Sequence, residues 1–408
     1  MQPLCLKCKG RGFCGRKFCP IYAKSQAAFK VQEMLESNDF SSSSPAPFVG
    51  HYGYPDVNVG ILSPAKVEEK AELYDAPKYW AEHKFQIPRI VDLRSALINS
   101  RFKMNIRKKE RFLSLSQEIG MASRPVDVEI SVQEKPRFRL NMDSYHAPMG
   151  PNAKLEKAEI TSNPKISRQV EKIVDDTDLK AQKAILYLHK KNFDENFLTK
   201  LLSIGNIGIK KDRKLVPTRW SITATDDMIA KDIISKIKDY NTTDYLAFFG
   251  SYLGNYYLIL CFPEPWSYEL FETYMPKTSW NVEENINFMT DYESYYGRKT
   301  YAENCAGGYY AARLAIAEKL SDMKRQASVL ALRFITGDYA VPLGVWVVRE
   351  AARKAMKNRP IEFSSKELML KYAEALVKKK FGYDANKILK NSILLKEMKN
   401  QKKLSSFF

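Results

Sequence analysis

Four cysteines stand within the first nineteen residues, spaced Cys5-x2-Cys8-x5-Cys14-x4-Cys19. Four thiolates so close together complete a tetrahedral site for Zn2+, and so short a segment has no core of its own without the metal. Two other readings stay open. One is a disulfide pair, which a reducing compartment disfavours. The other is an iron–sulfur cluster, since Pro20 directly follows Cys19 as in ferredoxin Cys-Pro pairs. Zinc is the expectation and iron–sulfur the second choice. Lys7, Lys9, Arg11, Arg16 and Lys17 lie among the ligands, where they would offset thiolate charge or face phosphate. Cys261 and Cys305 read as buried, inert thiols.

The other end reads Gln401-Lys-Lys-Leu404-Ser-Ser-Phe407-Phe408. With three residues per turn, Leu404 and Phe407 share one side, with Phe408 beside them. Exposed aromatics at a chain end are costly unless something covers them, either this protein's own surface or a partner's groove. The Gln-x-x-Leu-x-x-Phe-Phe pattern resembles the motif by which repair and replication proteins bind the sliding clamp, PCNA. The expectation is a clamp-binding tail.

Between the ends, Arg213, Lys214 and Arg219 beside Trp220 suit phosphate clamping and base stacking; the plainer reading makes Pro217–Thr223 a half-buried strand. Arg349, Arg353 and Lys357 recur at i, i+4 and i+8 and give a basic stripe, either solvated or on nucleic acid. Ala306-Gly-Gly-Tyr opens a helix, where an anion or close packing would equally suit the glycines. For catalysis the candidates are weak: Asp127 and Glu129 on one face of a strand, with Asp143 and His146 following, and Arg219 with Asp226 and Asp227. No Walker A loop, Gly-x-Ser-x-Gly elbow or His-Glu-x-x-His helix is present, so enzymatic activity is left undecided.

These residues need a scaffold, and 408 residues suffice for two or three domains. Hydrophobic content of 45% allows a large core and excludes wholesale disorder. With 65 Lys+Arg against 47 Asp+Glu the net charge is +18, which points to a polyanionic partner, nucleic acid first. The start of the chain has no secretory h-region. The uncharged run 245–262 reads as a buried hairpin turning at Gly254-Asn255 instead of a membrane span. Helices are expected at 23–36, 167–191, 226–240 (capped by Thr225), 308–323 and 344–357. Another opens with the capping box Ser364-Ser-Lys-Glu367. Strands are expected at 89–93, 126–132 and 137–141. The Ser41–Pro47 stretch reads as a linker, and 328–335 as an apolar run joining two helices.

Longer matches then accumulate: Phe48-Val-Gly-His-Tyr-Gly-Tyr-Pro55, Ser123-Arg-Pro-Val-Asp127, Leu215-Val-Pro-Thr-Arg-Trp-Ser-Ile-Thr223, Gly307-Gly-Tyr-Tyr-Ala-Ala-Arg-Leu314 and Pro342-Leu-Gly-Val-Trp346. Together with the cysteine quartet and the tail, they make the chain resemble the archaeal Nre family, described as DNA-repair proteins. The resemblance implies a zinc-finger-like start, a two-part core, a clamp-binding tail and a role in DNA damage within an archaeal cytoplasm, at the nucleoid. It supplies no catalytic residues.

The expected architecture is α+β: a four-cysteine zinc module and helix over 1–40, a mixed α/β core over 41–285, a mainly helical region over 286–400, and the tail over 401–408. The expected function is a DNA-repair protein recruited through PCNA, whose basic core contacts DNA. The alternative is an enzyme hydrolysing phosphodiesters or nucleotide adducts.

Overall fold

A computed structural model describes Cys8 and residues 11–13, 19–35, 37–136 and 149–400. Cys5, Cys14, Asp143, His146, the expected strand at 137–141 and the tail 401–408 lie outside the described residues. The chain forms two units, one running to Ile229 and joined by Val341–Leu343, the other made of Ala230–Ala340 and the residues from Gly344 onward.

The first unit opens with α1 (Pro20–Met34), which buries Val31 and Leu35 but leaves Met34 exposed. Then come β1 (Asp39–Ser44), β2 (Ala46–Val49), β3 (Asp56–Ser63), α2 (Pro77–Glu82), α3 (Ile87–Ala96), β4 (Ile98–Asn105), α4 (Arg111–Met121), β5 (Val126–Val132) and β6 (Asn152–Ile160). The ladder order is β1-β5-β6-β4-β3-β2. All neighbours are antiparallel except β4 and β6. Only Pro45 separates β1 from β2, so the two ends of this order are halves of one strand. The first half pairs with β5 and the second with β3. Proline has no N–H to continue a ladder, and the strand changes partner there. Six segments thus close into a five-stranded barrel. Alternation sends Val57, Val59, Ile61, Phe102, Met104, Val128, Ile130 and Leu155 into one core, to which α4 adds Leu113 and Ile119.

The expected linker at Ser41–Pro47 is therefore wrong. Ser42, Ser43 and Ser44 are buried, and each hydroxyl has an acceptor: the Pro64 carbonyl at 2.6 Å, Asp127 Oδ1 at 2.7 Å and the Leu62 carbonyl at 2.8 Å. A satisfied hydroxyl can be buried without penalty. The strand expected at 89–93 is part of α3, which has Pro88 in its first turn and buries Ile87, Ile90 and Val91. A five-residue stretch is too short to reveal its period.

The unit continues with α5 (Arg168–Asp175), α6 (Ala181–Lys190), α7 (Glu195–Ser203) and the larger part of α8 (Thr218–Ile237), whose residues from Ala230 belong to the second unit. The single helix expected at 167–191 is two, the first capped by Ser167. The helix expected from Asp226 starts at Thr218. Thr225 is thus no cap but a buried residue of its interior, and Pro217–Thr223 is not a strand.

The second unit holds β7 (Tyr245–Tyr252), β8 (Asn255–Phe262), β9 (Ser267–Tyr274), β10 (Asn287–Glu293), α9 (Ala306–Asp322), β11 (Ser328–Ile335), α10 (Trp346–Lys357), β12 (Ile361–Phe363), α11 (Lys366–Phe381), α12 (Asn386–Leu389) and α13 (Ile393–Asn400). Its sheet runs β10-β9-β11-β8-β7-β12, antiparallel except where β11 lies beside β9. The expected hairpin forms as β7 and β8, turning one residue earlier at Leu253-Gly254, both at positive φ. That is the turn whose twist suits two strands. The supposed connecting run is β11, a fully buried central strand. Ser365, not Ser364, caps α11 by accepting the Leu368 N–H at 3.3 Å. The region after residue 286 is rich in helix, yet it gives β10, β11 and β12 to the same sheet as β7–β9, so a boundary at 285 would cut that sheet. The architecture is α+β in both units. Among the described residues no helix is long and apolar enough to cross a membrane.

Charges are buried in the second unit. Glu272 on β9 and Arg333 on β11 are register neighbours and form an ion pair. Arg333 Nε also donates to Asn255 Oδ1 at 3.0 Å. A Cβ on Gly308 would stand 2.3 Å from Glu272 Oε1, so only glycine lets the start of α9 approach. Arg313 pairs with Glu293 at 2.7 Å and Arg298 with Asp291 at 3.2 Å. Glu269 accepts the Ile393 N–H at 3.0 Å and the Leu394 N–H at 3.1 Å, capping α13 from a central strand, while Tyr292 holds Glu397 of that helix.

Replacing Glu272 by Ala leaves the Arg333 charge buried without its carboxylate and should destabilise the unit by about 3–5 kcal/mol. A fall in the urea midpoint of the variant measures this. An unchanged midpoint would show that the pair carries no such cost.

Candidate nucleic-acid interface

The β2–β3 connection is fixed by its backbone. Gly50 N–H donates to the Asn58 carbonyl at 2.8 Å and Asp56 N–H to the Gly53 carbonyl at 2.8 Å. Gly53 takes φ +79°, a conformation that favours glycine. Three further bonds bring distant segments to this connection. Ile106 N–H donates to the Pro55 carbonyl at 3.0 Å, and Leu215 N–H to the Ile106 carbonyl at 3.0 Å. Val49 N–H donates to Thr218 Oγ1 at 2.9 Å, and Ser203 Oγ lies 3.0 Å from the same hydroxyl. The first turn of α8 is thereby held against the end of β2.

That arrangement gathers aromatic rings at the surface. Trp220 and Tyr54 lie with centroids 5.1 Å apart and His51 and Tyr52 4.1 Å apart. Trp220 is 46% exposed, Tyr54 43% and Tyr52 64%. Arg219 is exposed beside Trp220, and Lys214 precedes Leu215, also exposed. Arg107, Lys108 and Lys109, exposed as well, follow Ile106 directly. Rings able to stack and cations able to hold phosphate thus meet at one place.

The remaining expected residues sit differently. Arg213 is engaged within the fold: its guanidinium donates to the Gly208 carbonyl at 2.6 Å and the Asp176 carbonyl at 2.9 Å, and burial lowers its pKa. The basic stripe on α10 is not an exposed row. Arg349 is buried, and Arg353 is committed to Glu318 at 2.7 Å and Glu350 at 2.6 Å, leaving Lys357 exposed. Positions four apart rotate by about 40° per step around a helix, so a stripe of three can pass from the packed side to the open one. Asp127 and Glu129 do share one side of β5, but Asp127 accepts from Ser43, and β5 pairs with neither β2 nor β3. Asp226 is buried in α8, about 10 Å along the axis from Arg219. Among the described residues no three His, Cys, Asp or Glu side chains group as metal ligands. Of the quartet, Cys8 is buried and Cys19 half-buried just ahead of α1.

Sequence reasoning gave Tyr52 and Tyr54 no role and overlooked Arg101 and Lys103, both exposed on β4. The signal existed. Ile98, Ser100, Phe102 and Met104 alternate with Asn99, Arg101, Lys103 and Asn105, the period of a half-buried strand.

Family models described as "Archaeal Nre, N-terminal" and "Archaeal Nre, C-terminal" match residues 13–281 and 293–407. The chain is similar to a "DNA repair protein NreB" of Archaeoglobus fulgidus, 37% identical over 96% of this chain and 97% of that protein. It is also similar to a "DNA repair protein NreA" of the same organism, 36% identical over 92% and 94%. A "DNA repair protein NreA" of Haloferax volcanii is 34% identical over 81% of each chain. No solved structure matches.

Two outcomes are expected here. Thr218→Val deprives the Val49 N–H of its acceptor and should cost about 1–3 kcal/mol, read by urea denaturation; a smaller loss would mean that this bond does not secure α8. Burial pushes the Cys261 thiol up to about 12 and the Cys305 thiol up as well. Both should therefore resist alkylation at pH 8 in the folded protein and react on unfolding, as peptide mapping by mass spectrometry would show.

Proposed function

The chain belongs to the archaeal Nre family, and on that premise we propose that it is a DNA-repair factor moored to the sliding clamp PCNA by Gln401, Leu404, Phe407 and Phe408, with its basic first unit on DNA. What carries the reading is end-to-end likeness to relatives named as DNA repair proteins, over 81% or more of both chains. The clamp part rests on the Gln-x-x-Leu-x-x-Phe-Phe pattern. The DNA part rests on the net charge of +18 and on the exposed cations Lys214, Arg219 and Arg107–Lys109 around the aromatic cluster. A tether raises the local concentration of a weak DNA binder without any new contact. The working place would be the archaeal cytoplasm, at the nucleoid.

The cysteine quartet holds one Zn2+ in this reading. It rests on the Cys5-x2-Cys8-x5-Cys14-x4-Cys19 spacing, and thiolate sulfur is a preferred zinc donor. The metal would tie the start of α1 to the residues ahead of it.

Deleting residues 401–408 should abolish capture by immobilised clamp while circular dichroism stays unchanged; undiminished capture would remove the mooring. Elemental analysis should find one zinc per chain, lost in Cys8→Ser. Iron, with visible absorption, would replace zinc by a cluster.

A further inference from the structure

We propose that the barrel of the first unit is a single-strand-binding module of the OB type, with unstacked bases of DNA lying on Tyr52, Tyr54 and Trp220. This rests on the reading that the first unit contacts DNA and goes on to name the form of DNA it takes.

The first support is topology. Counting β1–β2 as one strand, the chain order gives strand one (β1–β2), two (β3), an insertion carrying α2 and α3, three (β4), a helix (α4), four (β5) and five (β6). Strand one pairs antiparallel with strands two and four, two with three, and four with five, while strands three and five run parallel. That set of pairings, with the helix between strands three and four, is the OB barrel, whose strand two–three face and strand one–two loop bind oligonucleotides. Topology alone does not assign a ligand.

The second support is what occupies those two places. The strand one–two loop is His51–Pro55, the bearer of the exposed rings. On the outward face of strands two and three stand Asn58, Arg101 and Lys103; Lys154 of strand five is the register neighbour of Arg101. The same strand runs on into exposed Arg107, whose segment is bonded to Pro55. A row of cations therefore leads up strand three to a group of rings. Asp56, at the start of strand two, accepts from Asn105 at 3.0 Å.

The third support is discrimination. A phosphate-only surface takes duplex and single strands alike. Rings need the face of a base, which a duplex covers by stacking and a single strand leaves open. Three large aromatic side chains held at the surface by a bonded loop and a docked helix are arranged in advance for such faces.

The test uses the full-length protein with fluorescein-labelled oligo-dT and a duplex of equal length at low salt. Single strands should bind more tightly than duplex. Trp220→Ala, or Tyr52→Ala on the loop, should weaken single-strand binding about 5- to 100-fold and duplex binding less than about twofold. Trp220→Phe keeps a ring and should retain most of the affinity, which separates stacking from misfolding. The double variant Arg101→Ala, Lys103→Ala should weaken both and flatten the salt dependence, by up to about 0.7 in log–log slope per lost phosphate contact on single strands. Equal or tighter binding of duplex, with single-strand affinity indifferent to Trp220→Ala and Tyr52→Ala, would overturn the inference yet leave the first unit a DNA binder. Failure of both DNA forms to bind at low salt would sink both readings.

Discussion

Pro45 has no amide hydrogen to offer a neighbour, and the first unit is organised around that gap. An open sheet presents rows of unpaired N–H and C=O groups at its edges. Here the strand that begins beside β5 ends beside β3, so both edges are joined through the same piece of chain. The three serines before the proline suit the crossing: their small side chains are buried, and their hydroxyls reach the Pro64 and Leu62 carbonyls and Asp127. Lys200 of α7 donates to the Pro45 carbonyl at 3.2 Å, which gives the oxygen at the break a partner as well. The β2–β3 connection therefore leaves a closed rim, and the rings it carries inherit that rigidity.

The second unit is built under a different constraint. Glu272, Glu293, Arg313 and Arg333 are all buried within it. Isolated charges there would be prohibitive, and each is matched by an opposite charge or a donor. Burial works to lower the Arg333 pKa, but the carboxylate of Glu272 beside it holds it above the usual arginine range. With both side chains almost closed to solvent, the pair serves the packing of β9, β11 and α9. Gly308 accordingly belongs to close packing in place of anion binding: the space a Cβ would need is taken by a carboxylate oxygen.

Much was legible where periodicity was long. β5 fell on its expected residues, and α9 and α10 lie within two residues of theirs, because a long repeat of buried positions admits one period. The hairpin was legible from its turn, though Leu253 at positive φ carried no signal and shifted it by one residue. Short or polar segments misled. Ser41–Pro47 looked like a linker because composition does not reveal whether a hydroxyl finds an acceptor across the barrel. The α10 stripe looked like an open basic face because spacing fixes which residues align, not which way the row points. The aromatic cluster was half visible: Trp220 and Arg219 stood together in sequence, but Tyr54 lies 166 positions from Trp220 and meets it through the Val49–Thr218, Ile106–Pro55 and Leu215–Ile106 bonds.

Glu269 grips the first amides of α13 from a buried strand, and Tyr292 takes hold of Glu397 farther along. The helix that ends at Asn400 is thus an anchored post. Eight residues follow it, and at full stretch they reach no more than about 28 Å. Any ring-shaped protein that accepts Phe407 and Phe408 must then stay within a short leash of this sheet, so docking there would confine the second unit to a narrow shell around its partner.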